Sequence, residues 1–196
     1  EEIEEAIQNY ADGARRAKEA GFDGVEVHAA HGYLISEFLS PKTNRRTDKW
    51  GGSFENRCRF AVEVVRRIRK EVGPKFPLLY RFSAEESTPD SLPLDEGVRY
   101  ARILEKEGVD CFDVTHGDYE STKHFPMQGD PKDQLVYLAE AVKKAVSVPV
   151  IAVGSLGFDP EVAHRVVKEG KADMVHFGRE LLADPDLPEK IRKNRL

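Results

Sequence analysis

Apolar positions near the start of the chain recur at helical spacing. Ile7, Tyr10, Ala11, Ala14 and Ala17 fall on one face, and Gly21 follows as a stop. This predicts a helix over residues 4–20. The period then changes to that of a short strand in Asp23-Gly24-Val25-Glu26-Val27-His28. The same succession recurs where Lys106-Glu107-Gly108 leads into Asp110-Cys111-Phe112-Asp113-Val114. It recurs again where Lys168-Glu169-Gly170 leads into Asp173-Met174-Val175-His176-Phe177. Two further strands enter through proline, Pro77-Leu78-Leu79-Tyr80-Arg81-Phe82 and Pro149-Val150-Ile151-Ala152-Val153. They follow helices expected over residues 54–71 and 133–145. Strands alternating with helices imply a parallel sheet joined by right-handed crossovers. Apolar runs such as Val150–Val153 suit strands covered on both faces. The predicted fold class is α/β.

Polar residues cluster just beyond the strands: His28, Arg81 to Ser83, Thr115-His116, Gly154-Ser155 and Gly178-Arg179. A barrel gathers such residues on one rim, whereas an open sheet concentrates its ligand in a single crevice. The distribution favours a (β/α)8 TIM barrel. Five strands are visible against the eight of a closed barrel, and the chain opens inside a helical pattern. Residues 1–196 are therefore expected to form a partial barrel of about the last five β/α units, with strands 1–3 outside the sequence.

Composition narrows the class. The 196 residues are 40% hydrophobic and 33% charged, with a net charge of -5, which gives no reason to expect nucleic-acid or membrane-surface binding. No signal peptide is evident, and no apolar run approaches the roughly 18 residues of a membrane span. The two cysteines, Cys58 and Cys111, suggest neither a zinc site nor a disulfide framework. A cytoplasmic protein is the expectation.

The densest chemistry lies in His28-Ala29-Ala30-His31-Gly32-Tyr33-Leu34. Two imidazoles three residues apart at a strand end can converge on one point. Unprotonated they can bind a metal, and with N–H groups turned inward they can grip an oxyanion. No H-E-x-x-H motif and no suitably spaced carboxylate supports the metal. Arg81 lies inside a strand pattern, where a guanidinium must be paired or face a polar site. That leaves a structural ion pair or a fixed positive charge beside an anionic ligand. Gly154-Ser155 and Gly178-Arg179 end the last two strands, where barrels commonly bind phosphate on backbone N–H groups. The polar loop 40–53 is long enough to be functional or to be a braced surface lid, with Ser53 capping the helix that follows.

These residues also carry a family resemblance. The runs G-F-D-G-V-E-V-H-A-A-H-G-Y-L at 21–34 and L-S-P-K-T-N-R-R-T-D-K-W-G-G-S-F-E-N-R at 39–57 resemble old yellow enzyme flavin oxidoreductases. The segments V-P-V-I-A-V-G-S and D-M-V-H-F-G-R-E-L-L-A-D-P-D-L-P-E-K are similar to that family's phosphate-binding tail. D-V-T-H-G-D-Y-E-S at 113–121 resembles the 2,4-dienoyl-CoA reductase and NADH oxidase branch, whose members carry an iron–sulfur cluster beyond this segment.

The resemblance implies FMN as cofactor and NAD(P)H as reductant, with hydride passing through the flavin to an activated C=C bond of a small molecule. It implies that His28 and His31 hydrogen-bond the substrate's electron-withdrawing oxygen and that Tyr33 donates the proton. Arg81 would stand beside the flavin pyrimidine, and Gly154, Ser155, Gly178 and Arg179 would cradle the FMN phosphate. Trp50 and Ser155 depart from the family's commoner residues at those positions. The implied contribution of the first three strands to the flavin site suggests that residues 1–196 alone bind FMN weakly or not at all. Another half-barrel or chain would then complete the fold. Two other readings stay open: a non-catalytic half-barrel serving as an interaction module, and a metal-dependent lyase using His28, His31 and His116.

Overall fold

A computed structural model describes residues 1–118, 120–121 and 135–193. Tyr119 and residues 133–134, which belong to stretches singled out above, lie outside the described residues, as do 194–196. The elements run α1 (Glu2–Glu19), β1 (Val25–Ala29), α2 (Leu34–Leu39), α3 (Phe54–Val72), β2 (Leu78–Ser83), α4 (Leu94–Glu107), β3 (Cys111–Thr115), α5 (Val136–Lys143) and β4 (Val150–Val153). A 3₁₀ turn (Leu156–Phe158), α6 (Pro160–Lys168), β5 (Met174–His176), α7 (Arg179–Ala183) and α8 (Leu187–Arg192) follow.

All five strands are parallel and stand in the sheet in chain order, β1 to β5. Right-handed crossovers between consecutive neighbours place the helices on one side. In keeping with this, α1 packs on α3, α3 on α4 and α4 on α5. A doubly wound sheet would reverse its strand order; among the described residues this sheet keeps chain order throughout. It is an arc of β/α units.

The two faces differ as the alternation of side chains requires. Val27, Ala29, Tyr80, Phe82, Phe112, Val114 and Ala152 are buried against the helices. There Tyr80, Phe82, Tyr100 and Phe112 form a cluster of edge-on and tilted rings. The Tyr80 and Tyr100 hydroxyls pair at 2.5 Å, which satisfies both in a dry core. The opposite, inner face presents Glu26 and His28 exposed on β1 and Met174 exposed on β5.

Local chemistry fixes the element ends. Ser53 Oγ accepts the Asn56 N–H and caps α3 as expected, and Gly108 (φ 107°) ends α4 in the left-handed region. Gly97 lets α4 press on the strand layer: a Cβ there would lie 1.9 Å from the Ala84 carbonyl oxygen. Both cysteines are buried free thiols. Burial pushes Cys58 up to about 12 and Cys111 up to about 11. No helix among the described residues is long and apolar enough to cross a membrane.

Candidate active site

Because the strands are parallel, their carboxyl ends share one rim. The turn after β1 is the most constrained part of it. His31 (φ 62°) and Gly32 (φ 78°) are consecutive left-handed residues, an arrangement that is unfavourable at histidine unless neighbours hold it. They do. The His31 N–H donates to Ser83 Oγ at 3.1 Å, and its Nε2 lies 3.2 Å from Thr115 Oγ1. Ser83 and Thr115 end β2 and β3 and are register partners, so the turn is tied to the two neighbouring strands.

The tethers bring three predicted residues together. The His28 ring stands 5.4 Å from His31 and 5.3 Å from Tyr33, centroid to centroid. Tyr33 starts α2 and is 59% exposed, so its hydroxyl is open to a ligand. Burial lowers both histidines below their ordinary value of 6.5, with Arg81 reinforcing the effect; His31 falls to about 4. Near neutral pH both are uncharged rings, each with one N–H to donate and no spare proton to release.

One strand over, Arg81 stands opposite His28 in register. Its Nε lies 3.7 Å from Asp113 Oδ2, and it is buried without a hydrogen bond, as is Asp113 Oδ1. His176 Nδ1 meets Asp113 Oδ2 at 2.8 Å. That hydrogen bond raises the His176 pKa, overriding burial and the Arg81 charge. Glu26 is raised by burial and then by Asp113. The sequence left Arg81 either ion-paired or facing a polar site, and it did not single out Asp113, His176 or Glu26. Their signal was available in the period-two alternation, which puts charged groups on the same face as Arg81.

The remaining predicted residues follow β4 and β5. Gly154 (φ 118°) and Ser155 (φ 54°) lead into the 3₁₀ turn. That turn abuts the next one: a Cβ on Gly157 would approach Glu180 Cγ to 2.7 Å. Gly178 precedes α7, and a Cβ there would meet nothing within 4 Å, so this backbone is approachable. Its N–H donates to Glu180 Oε2 at 3.0 Å. Arg179 is exposed at the first position of α7. His116 turns toward the loop after β2, its Nε2 2.6 Å from Ser87 Oγ. Among the described residues no three His, Cys, Asp or Glu side chains are grouped to hold a metal ion.

Imidazole, phenol and guanidinium groups thus lie close together on one side of a β/α arc, toward the strand ends where barrels of this type place their ligands. The chain belongs to the NADH:flavin oxidoreductase / NADH oxidase family, whose model matches residues 1–196. It is 49% identical to an NADH oxidase of Thermoanaerobacter brockii over 99% of this chain and 30% of that protein. In structure it is similar to 2-naphthoyl-CoA reductase in complex with 2-naphthoyl-CoA (TM-score 0.93, 40% identity, 99% of this chain and 30% of that one). It is also similar to an old yellow enzyme homologue from Zymomonas mobilis (TM-score 0.81, 29% identity, 100% and 53%). The sequence thus spans between about a third and about a half of these relatives. The five-stranded arc is a segment of the old yellow enzyme TIM barrel, and the family is one of flavin-dependent oxidoreductases of NADH and NADPH.

Proposed function

We propose that residues 1–196 form part of the FMN-binding barrel of an oxidoreductase that uses NAD(P)H to reduce an activated C=C bond of enone or dienoyl type. Strands 1–3 of that barrel would come from outside this sequence. The observation that carries the reading is the convergence of His28, His31 and Tyr33 beside Arg81 on one rim. The donor set suits the cofactor: Arg81 keeps its buried Nε without a hydrogen bond, and Gly178 leaves room for a phosphate against backbone. The Gly178 amide already serves Glu180, so phosphate binding there requires that carboxylate to turn aside.

When bound, FMN supplies hydride transfer; the protein orients and polarises. His28 and His31 donate their N–H groups to the substrate's carbonyl-type oxygen and draw negative charge onto it. A neutral donor suits this task, because it stabilises charge without surrendering its proton. Tyr33, exposed beside them, delivers the proton to the carbon next to that group. Arg81 places a fixed cation at the strand ends, and Gly154, Ser155, Gly178 and Arg179 hold the phosphate.

The reading is tested on the full-length protein. It should purify with FMN, and its flavin should be reduced by NADH or NADPH and reoxidised anaerobically by 2-cyclohexenone. Tyr33→Phe should leave reduction by the nicotinamide intact and slow reoxidation about 10²-fold. Reoxidation at the unaltered rate would remove Tyr33 from the proton-donor role.

A further inference from the structure

Beside Arg81 stand two polar groups, Asp113 and His176, to which the proposed reaction gives no task. Asp113 on β3 is 1% exposed. It faces Arg81 of β2 in register, and His176 reaches it from β5, across β4. At 3.7 Å the Arg81 contact is an ion pair too long for a hydrogen bond. One carboxylate oxygen therefore serves both Arg81 and His176, while the other oxygen and Arg81 Nε make no hydrogen bond. Burying a carboxylate with an oxygen unsatisfied is costly, and a side chain that merely filled space would avoid that cost.

We propose that Asp113 couples His176 to Arg81, so that the charge on His176 sets how strongly Arg81 holds negative charge brought to the strand ends. Asp113 and His176 are positioning residues in this scheme, acting through Arg81. The inference rests on the flavin reading, in which Arg81 lies beside the isoalloxazine pyrimidine. When His176 is neutral, the Asp113 carboxylate is left to offset Arg81 alone. When His176 is protonated, the same carboxylate is shared between two cations, and the field of Arg81 is cancelled less.

The charged groups acting on His176 are Asp113 from β3, Arg81 from β2 and Glu26 from β1; the pocket that His176 lines is also lined by the uncharged Ile151 of β4, Leu181 of α7 and Pro188 of α8. The Asp113 hydrogen bond raises His176 above the ordinary 6.5, which brings its titration toward neutral pH.

Two measurements on the full-length, FMN-loaded protein test the coupling. In the first, imidazole NMR titration should place the His176 pKa above 6.5, and Asp113→Asn should lower it by about one pH unit or more. In the second, the midpoint potential of bound FMN against pH should show an inflection where His176 titrates. It should be lost in Asp113→Asn, which removes the shared carboxylate, and vanish in His176→Asn, which keeps a hydrogen-bond donor for the carboxylate. A His176 that titrates at or below 6.5, or an inflection that survives in His176→Asn, overturns the coupling alone. A protein that binds no FMN overturns the flavin reading and this inference with it.

Discussion

His31 combines a left-handed backbone with a ring that resists protonation, and both properties follow from the same tethers. Its contacts with Ser83 and Thr115 fix the turn and withdraw the imidazole from water. The folded ring titrates at about 4, against an ordinary 6.5. Between those values the unfolded chain binds a proton that the folded chain does not, so acid favours unfolding there. The stabilisation is whole above pH 6.5 and is lost as the pH falls toward 4; His28 and His116, also lowered, act in the same direction. His176, raised, acts oppositely: its contribution is present below 6.5 and lost as the pH rises through its folded value. Urea midpoints of His31→Gln should therefore fall less steeply between pH 6.5 and 4 than those of the parent, and an unchanged slope would exonerate His31. His28, His31 and Tyr33 were legible in sequence because they sit within one turn at a strand end. Asp113 and His176 are 63 residues apart, and only the contact between their side chains shows that they meet.

Among the elements, the long ones announced themselves and the short ones did not. The apolar stripes of α1 and α3 and the proline and glycine boundaries of the strands gave ends within a few residues of those observed. In contrast, α2 spans only six residues, fewer than two turns, and shows no period of its own. Its stability comes from its neighbours: it packs on α3 and β1, and Ser36 Oγ bonds the Tyr33 carbonyl at 2.7 Å. The close seat of α4 was equally hidden, since nothing in the sequence distinguishes Gly97 from a tolerated helix glycine. Structure gives it a reason. Gly97→Ala would drive a methyl into the Ala84 carbonyl, and should cost about 3 kcal/mol, the upper end of overpacking penalties, measured by urea denaturation. A variant as stable as the parent would mean that α4 can slide without loss.

For the molecule as a whole, the barrel character was readable because every strand end carried polar residues, and the chain-order sheet bears this out. The closure of the inner face was not readable, since it depends on strands that these residues do not supply. Exposed Glu26, His28 and Met174 on that face lead to a prediction about the segment itself. Residues 1–196 expressed alone should bind FMN at least about 10²-fold more weakly than the full-length protein, by fluorescence titration, because only part of the ring's surroundings is present. Equal affinity would show that these five units suffice. The hidden sulfurs give the fold an internal clock. Cys58 lies on the buried face of α3 and Cys111 in β3, both shielded and both disinclined to ionise, so an alkylating reagent can reach them only when the structure parts. With single-cysteine variants, the rate of labelling at each would time two events separately, the lifting of a helix and the peeling of a strand.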